Sequence, residues 1–431
     1  MKKSITLLLT LVMLLTTVVT ANAATPVLTD VVGEKCETAV TVLAGLGIVE
    51  GRSEGKYEPN GSLTRAEMAT IILRAMNMEE GAQGQAIFED VPASHWAYAN
   101  VAAAYQLGII NGMSATIFSP DTAVTDEQAV KMVVAALGYG VQAEAAGGYP
   151  SGYLAKASQL DILKNIKVEG EMNRGDMAIL LYNALNTKLS VQASYGDSKL
   201  EFAEDDDVTL LTYYLKAQHY TEVVNATPMG CVTDSAPSLK SDELVAGTTV
   251  MMAGETNAQD FLGQRVEIYA REDEMTEKPV VLAIVPRATT EVLDVTAQAI
   301  EDADVSYADG VFAYENENGK VIEEDIEGAV VIKNGRKIAA PTDADITPEI
   351  GAVRLVRNSG KAFQYIIVEE YVNQLVKSVN ERTNRITFVD GTGKTVDLED
   401  KTKAIVMTDA EGEAVHAEEA GKCRKTFRYS R

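Results

Sequence analysis

Apolar positions between residues 28 and 190 recur at helical spacing, and they do so in a repeated register. Counted from Thr64, positions +4, +7, +8 and +11 are Met68, Ile71, Ile72 and Ala75; counted from Thr125 they are Ala129, Met132, Val133 and Ala136. Each set traces one face of a helix. Thr64-Arg65-Ala66-Glu67 and Thr125-Asp126-Glu127-Gln128 both fit the S/T-x-x-E/Q capping box, in which hydroxyl and N3 side chain satisfy each other's free backbone N–H, so a helix is predicted to begin at each. A third copy follows when Asn173 is the cap: Met177, Leu180, Leu181 and Ala184 take the four positions and Asp176 stands at N3. Upstream of each capped helix lies another amphipathic run, with Val40 and Leu43 in copy one, Val101, Ala104 and Tyr105 in copy two, and Leu154 to Leu160 in copy three.

The copies share more than their helices. Leu46-Gly47-Ile48-Val49-Glu50-Gly51 returns 61 residues later as Leu107-Gly108-Ile109-Ile110-Asn111-Gly112, and Tyr57-Glu58-Pro59 returns as Phe118-Ser119-Pro120. Gly47 and Gly108 are placed to end the first helix as C′ residues, and Gly51 and Gly112 permit a tight turn that brings backbone close to a ligand. One helix pair cannot bury its apolar stripe alone, so the three copies are expected to pack into one core.

Beyond Leu189 the period changes to short alternating runs rich in Val, Ile, Thr and Tyr, separated by Asp309-Gly310, Asn334-Gly335 and Asp390-Gly391, which read as strands and hairpins. Phe312, Tyr314, Gly319, Lys320, Ile322, Val331 and Ile332 match Ile386, Phe388, Gly393, Lys394, Val396, Ile405 and Val406 at an offset of 74. This predicts tandem small β-domains, barrels or sandwiches. The expected fold class is α + β multidomain, an N-terminal all-α repeat module followed by β-rich tandem domains. The expected segments are 28–80, 86–140 and 147–190 for the repeats, 191–300 for a β-rich domain, 301–380 for a β-repeat unit and 381–431 for a partial one. The final run, Cys423 to Arg431, is basic in an acidic chain and fits no strand partner, from which we expect a truncated or frameshifted reading frame.

The N-terminus carries a different signal. Lys2 and Lys3, the apolar run Leu8 to Thr20 and the small-x-small Ala21-Asn22-Ala23 read as a signal peptide, residues 1–23, with cleavage expected after Ala23; the alternative is an uncleaved transmembrane anchor, for which Ile5 to Thr20 falls short of a spanning length. No later segment is apolar enough to span a membrane. Three cysteines (Cys36, Cys231, Cys423) are an odd number in an oxidising compartment, so a disulfide framework is not expected. The formal charge of −25 repels phosphate backbones, which argues against nucleic acid and requires local basic groups for any anionic ligand. His95, His219 and His416 are isolated, and the chain has no HExxH, no GxSxG and no phosphate loop. The acidic runs at 204–207 and 343–345 lack the calcium-loop pattern and read as solvated faces; no metal or cofactor is expected.

Taken together, Phe88-Glu89-Asp90-Val91, His95-Trp96-Ala97, Leu107 to Gly112, Phe118-Ser119-Pro120 and Leu63-Thr64-Arg65-Ala66-Glu67 resemble the surface-layer homology (SLH) repeat of bacterial envelope proteins. Over about residues 28–190 the resemblance implies a pseudo-threefold spindle whose grooves bind secondary cell-wall polysaccharide, commonly one bearing pyruvate ketals. It also implies a wall or surface-layer location and possible self-association there. Carried onto this chain, Arg65 and Arg174 hold the basic place beside a helix N-terminus, where a carboxylate would meet a charge-assisted pair and free N–H groups. Trp96, and Tyr149 at its place in copy three, would offer a flat face to a sugar; copy one has Lys35 there. Asp126 replaces the arginine in copy two, Asp161 replaces the turn glycine in copy three, and copy three lacks the F-x-P loop, so fewer than three working grooves are expected. The β region is expected to be structural or adhesive; the alternative is a wall-anchored enzyme acting on polysaccharide, which two facing carboxylates in a β-region pocket would favour.

Overall fold

The computed structural model describes residues 28–79, 88–192, 202–235, 237–301 and 303–380, with strands at 385–388, 395–397, 405–408 and 426–430. The signal segment lies outside the described residues, as does Asp390-Gly391. The chain forms two compact units, Met1–Gln218 and His219–Arg431. Among the described residues no helix is long and apolar enough to cross a membrane.

The first unit holds the repeats as helix pairs: α1 (Glu37–Gly45) with α2 (Arg65–Ala75), α3 (Tyr98–Gln106) with α4 (Asp126–Ala136), and, after the short α5 (Gly140–Ala145), α6 (Ser151–Gln159) with α7 (Arg174–Ala184). All three caps form. Thr64 and Thr125 complete capping boxes, and the Asn173 side chain accepts from the Asp176 amide at 2.8 Å. The expected faces are buried, with Met68, Ile72, Ala129, Val133, Met177 and Leu180 at 2% exposure or less. Gly47 and Gly108 end their helices at φ +75° and +71°, and Asp161 takes the same left-handed place in copy three at +57°, a conformation Asp tolerates better than most residues.

The repeats close on one another in a ring. The first helix of each copy packs on the capped helix of the copy before it: α3 on α2, α6 on α4, and α1 back on α7. The three segments entering the capped helices are bridged in the same sense, Thr64 to Ala123, Thr125 to Glu171 and Ser62 to Asn173. The first amide of each capped helix donates to the next copy's loop: Arg65 to Thr122 O at 3.0 Å, Asp126 to Gly170 O at 2.9 Å, Arg174 to Gly61 O at 3.0 Å. In two copies an aspartate fixes that loop. Asp30 accepts from the Tyr57 and Glu58 amides at 2.8 and 2.7 Å, and Asp90 from those of Phe118 and Ser119 at 2.9 and 2.7 Å.

One boundary differs from the sequence expectation. The hairpin of β1 (Lys188–Gln192) and β2 (Phe202–Thr209) stays with the helical unit instead of opening the β region at 191. The Ser190 amide donates to Leu137 O at 2.9 Å and Tyr139 Oη to Lys188 O at 3.0 Å, which ties β1 to the end of α4.

In the second unit β3 (Gln218–Thr227), β4 (Gly230–Cys231), β5 (Glu243–Ala246), β6 (Thr249–Met252), β7 (Arg265–Glu272) and β8 (Pro279–Pro286) form a sheet ordered β4-β3-β5-β6-β8-β7. A further β3–β7 pairing closes it into a barrel around Val224, Leu244, Met251, Val266, Ile268 and Val281. Next come β9 (Glu291–Thr296), helix α8 (Ala297–Ile300), the hairpin β10 (Val311–Glu315) and β11 (Val321–Asp325), β12 (Val330–Lys333), β13 (Arg336–Lys337), helix α9 (Asp343–Ile346), β14 (Gly351–Arg357) and β15 (Tyr365–Asn380). Their sheet runs β13-β12-β15-β14-β9 over a core of Phe312, Val331, Val353, Leu355, Phe363 and Ile366. Asn334 and Gly335, at φ +48° and +79°, make the two-residue turn between β12 and β13 that the Asn-Gly pair predicts. The 74-residue echo appears as β16 (Arg385–Phe388), β17 (Thr395–Asp397) and β18 (Ile405–Thr408), β16 pairing with β17 as β10 does with β11. The basic C-terminal run does find strand partners, contrary to expectation: β19 (Thr426–Ser430) pairs with β18 and with Tyr371–Leu375 of β15, because β15 continues past the first sheet and offers a second edge.

Two outcomes test this account of the first unit. Burial acts to raise the Asp30 carboxyl, but the Tyr57 and Glu58 amides outweigh it and hold the group below its ordinary value. A depressed value in the folded state means stability that is present above the unfolded value and lost as pH falls through the folded one. The stability gap between wild type and Asp30→Asn, read by urea denaturation, should therefore narrow steadily below about pH 4. A Cβ on Gly112 would sit 2.2 Å from Ser114 O and 2.6 Å from the Phe88 ring, whereas one on Gly170 meets nothing within 4 Å. Gly112→Ala should cost about 2 kcal/mol or more and Gly170→Ala less than about 0.5 kcal/mol in the same titration.

Candidate functional site

The ring fixes what surrounds each capped helix. Arg65 leaves the start of α2 and lies in the loop of copy two. Its Nε donates to Phe118 O at 2.8 Å, Nη2 to Asn111 O at 2.9 Å and Nη1 to Gln128 Oε1 at 3.0 Å, with the guanidinium 4.6 Å above the Phe118 ring. Arg174 repeats the arrangement on the loop of copy one, donating to Tyr57 O at 2.9 Å and Glu50 O at 2.7 Å over the Tyr57 ring at 4.4 Å. Arg65 and Arg174 are 3% and 6% exposed, and burial pushes both guanidinium groups down from their ordinary value. Three of the five guanidinium N–H donors of Arg65 and two of the five of Arg174 are engaged in these bonds.

The N–H groups at these helix starts are not free, as the sequence reading had them. In α2 the amides of Arg65 and Ala66 donate to Thr122 O and Pro120 O, that of Glu67 to Thr64 Oγ1, and that of Met68 to Thr64 O. The neighbouring repeat takes the place that an anion would occupy. Gly51 and Gly112 are likewise close to their own chain: a Cβ on Gly51 would lie 2.7 Å from Lys56 O. Gly108 ends α3 and has open space around it.

Trp96 is 61% exposed, with its ring stacked on His95 at 5.8 Å, and Tyr149 is 46% exposed. The Tyr149 hydroxyl meets the Thr125 and Glu127 side chains at the start of α4 and lies within electrostatic reach of Arg65. Arg65 from copy one, Thr125 and Gln128 from copy two and Tyr149 from copy three thus meet at one corner of the ring. Met113, 60% exposed, contacts Gln128 through its sulfur. At the next corner Arg174 faces Glu67, joined by Arg52, which sits where copy two has Met113 and meets Ser62 O at 2.8 Å and Glu67 at 3.4 Å. Sequence reasoning passed over Arg52, although the 61-residue offset from Met113 marks it. At the third corner Asp126 accepts from the Glu169 and Gly170 amides at 2.9 and 2.8 Å, and Lys35 pairs with Asp176 at 2.5 Å. The departures in copies two and three are therefore one change seen from both sides. The loop that lacks Phe-x-Pro presents amides instead of an aromatic and carbonyls, and an aspartate faces it.

In the second unit His219 Nε2 lies 2.6 Å from Glu267 and its ring stacks on Tyr269 at 4.8 Å. His416 lies outside the described residues. Among the described residues no group of three or more His, Cys, Asp or Glu is arranged to hold a metal ion.

Comparison with known proteins agrees with the helical architecture. The S-layer homology domain matches residues 28–69 and 87–130, in the first and second copies; the third copy lies outside the matched residues. The chain is 32% identical over 262 residues to the middle cell wall protein of Brevibacillus brevis, covering 55% of this chain and 24% of that protein. It is 28% identical over 359 residues to the cell surface protein of Thermoanaerobacter kivui, covering 80% of this chain and 44% of that protein. A shorter stretch of 100 residues is 40% identical to endo-1,4-beta-xylanase A of Thermoanaerobacterium saccharolyticum, 23% of this chain and 8% of the enzyme. The chain spans less than half the length of each of these relatives. With two matched S-layer homology repeats and surface proteins among its relatives, the chain is a cell-surface protein carrying the S-layer homology domain.

Proposed function

We propose that the helical unit, as a pseudo-threefold module, anchors the protein non-covalently by binding a secondary cell-wall polysaccharide in unequal grooves. The observation that carries this reading is the meeting of Arg65, Gln128 and Tyr149, one from each repeat, at a single corner of the ring. By the same relation between copies, Arg174, Glu67, Arg52 and Trp96 build a second. With the helix amides already committed, an anionic group such as a pyruvate ketal meets the remaining guanidinium N–H groups, while Trp96 and Tyr149 cover sugar faces. Gly51, Gly108 and Gly112 shape the loops that hold the arginines. The third corner, where Asp126 stands in place of an arginine and Asp176 takes up Lys35, repels an anion.

We assign the tandem β-domains a structural or adhesive role at the cell surface, self-association included. An enzymatic role on polysaccharide draws some support from the xylanase match, but the basic groove of the second unit has four cations and a single carboxylate, Glu291, already paired with Arg357.

Sedimentation of the full chain with purified wall sacculi tests the anchor. Trp96→Ala and Tyr149→Ala should each weaken binding about tenfold, or ~1.4 kcal/mol, and leave the urea midpoint nearly unchanged. Sedimentation unaffected by the pair together would remove the grooves from the account. Arg65→Ala with Arg174→Ala should abolish binding and also destabilise the unit by several kcal/mol, at roughly 1–3 for each buried carbonyl left unpaired. Walls stripped of pyruvate should bind more weakly; equal binding would refute carboxylate capture and spare the anchoring.

A further inference from the structure

The second unit contains a basic groove of about 790 Å³, lined by Arg265, Arg287, Arg357, Lys361, Asn358 and Ser359 among others, in a chain whose formal charge is −25. Its size is that of ligand-holding clefts, roughly 300–1,000 Å³. It forms where the start of β7, the end of β8, the start of β9 and the end of β14 converge. The framework is rigid. Buried Asn358 accepts from the Arg265 amide at 2.6 Å and donates to Gly263 O at 2.8 Å, and the Arg287 amide and the Thr290 hydroxyl both donate to Arg265 O, at 3.0 and 2.9 Å. Arg357 is held flat over Phe363 at 4.6 Å while it donates to Lys361 O at 2.6 Å.

Four cations face one carboxylate here. Glu291 pairs with Arg357, and Arg287 lies 3.5 Å from Glu267, so two of the cations have acidic neighbours. Arg265 and Lys361 are exposed, line the groove and have no acidic partner within ion-pair distance among the described residues. Like charges gathered on an otherwise acidic surface repel one another unless an anion joins them. We propose that this groove binds an anionic glycopolymer of the cell envelope, its carboxylate or phosphate groups meeting Arg265 and Lys361. The Asn358, Ser359 and Thr289 side chains along the same walls provide hydrogen-bonding groups for sugar hydroxyls. The site is separate from the helical grooves, giving the protein a second, electrostatic hold on the envelope.

The test is equilibrium binding of the full chain to two fluorescent probes at low salt, polygalacturonate for carboxylate and poly(glycerol phosphate) for phosphate. Arg265→Ala with Lys361→Ala removes two exposed side chains and should leave the fold intact, checked by an unchanged urea midpoint. The expected result is a loss of affinity of about tenfold for at least one probe, with wild-type binding weakening steeply between 50 and 500 mM salt, as roughly the number of ion pairs formed dictates. The probe that responds identifies the anion. Trp96→Ala and Tyr149→Ala should keep this component, which separates its failure from that of the wall-anchoring grooves. Isotherms of the double variant that superimpose on wild type for both probes would overturn the proposal. So would a double variant that binds both probes normally but loses concentration-dependent self-association in sedimentation velocity, since the groove would then be an interface between copies.

Discussion

The helical unit depends on the handing of each capped helix's first amides to the loop of the next repeat. A helix start leaves four N–H groups without intrahelical partners, and a side-chain cap supplies only one of them. Here the cap takes the third amide, the cap residue's own carbonyl takes the fourth, and the first two go to Thr122 O and Pro120 O in copy one and to Gly61 O and Pro59 O in copy three. No repeat completes its own helix start, so no repeat is a finished structure. The ring closes because the third copy's helix finds the loop of the first, and that closure aligns α1 with α7 over a common core.

The same handover decides what the grooves are made of. The corner of Arg65 takes its N1 side chain from one repeat, its N3 side chain from the next and its aromatic flank from the third. A substitution in one copy is therefore answered in another: Asp126 accepts from the amides of its loop, while Arg65 and Arg174 face loops of carbonyls backed by Phe118 and Tyr57. The arginines serve first as struts, each stacked on a ring and bonded to a loop carbonyl, and that fixes the direction of the donors they have left. The inequality of the grooves follows from the ring, because changing the charge at one N1 position changes which loop can lie beneath it.

The second unit is organised by a different constraint, the closing of a short barrel and the sharing of its strand ends with a neighbouring sheet. Asn358 joins the end of β14 to the start of β7, and Arg354 pairs with Asp294 across β14 and β9 through two bonds at 2.7 and 3.0 Å. This junction brings four basic residues together from positions spread across nearly a hundred places in the sequence. Their proximity is a product of strand convergence alone.

Much of this was legible before any fold was known. Caps and apolar faces are local, set within four residues and eleven, so Thr64, Thr125 and Asn173 marked their helices, and Asn334-Gly335 its turn, by short-range stereochemistry. The 61- and 74-residue offsets likewise announced which segments would share a structure. What the sequence left open are the long-range partners. The β1–β2 hairpin reads as the start of the β region, but Ser190 is held by Leu137 across the helical core. The C-terminal run reads as unpartnered because its partner is the far half of a strand that first serves another sheet. Arg65 and Arg174 read as standing beside free amides, since a helix start considered alone always has them. The sequence by itself determined where each helix begins, which face it buries and that the copies are unequal. Only the tertiary structure decided which repeat satisfies those beginnings, because a backbone amide carries no record in sequence of the carbonyl it will meet.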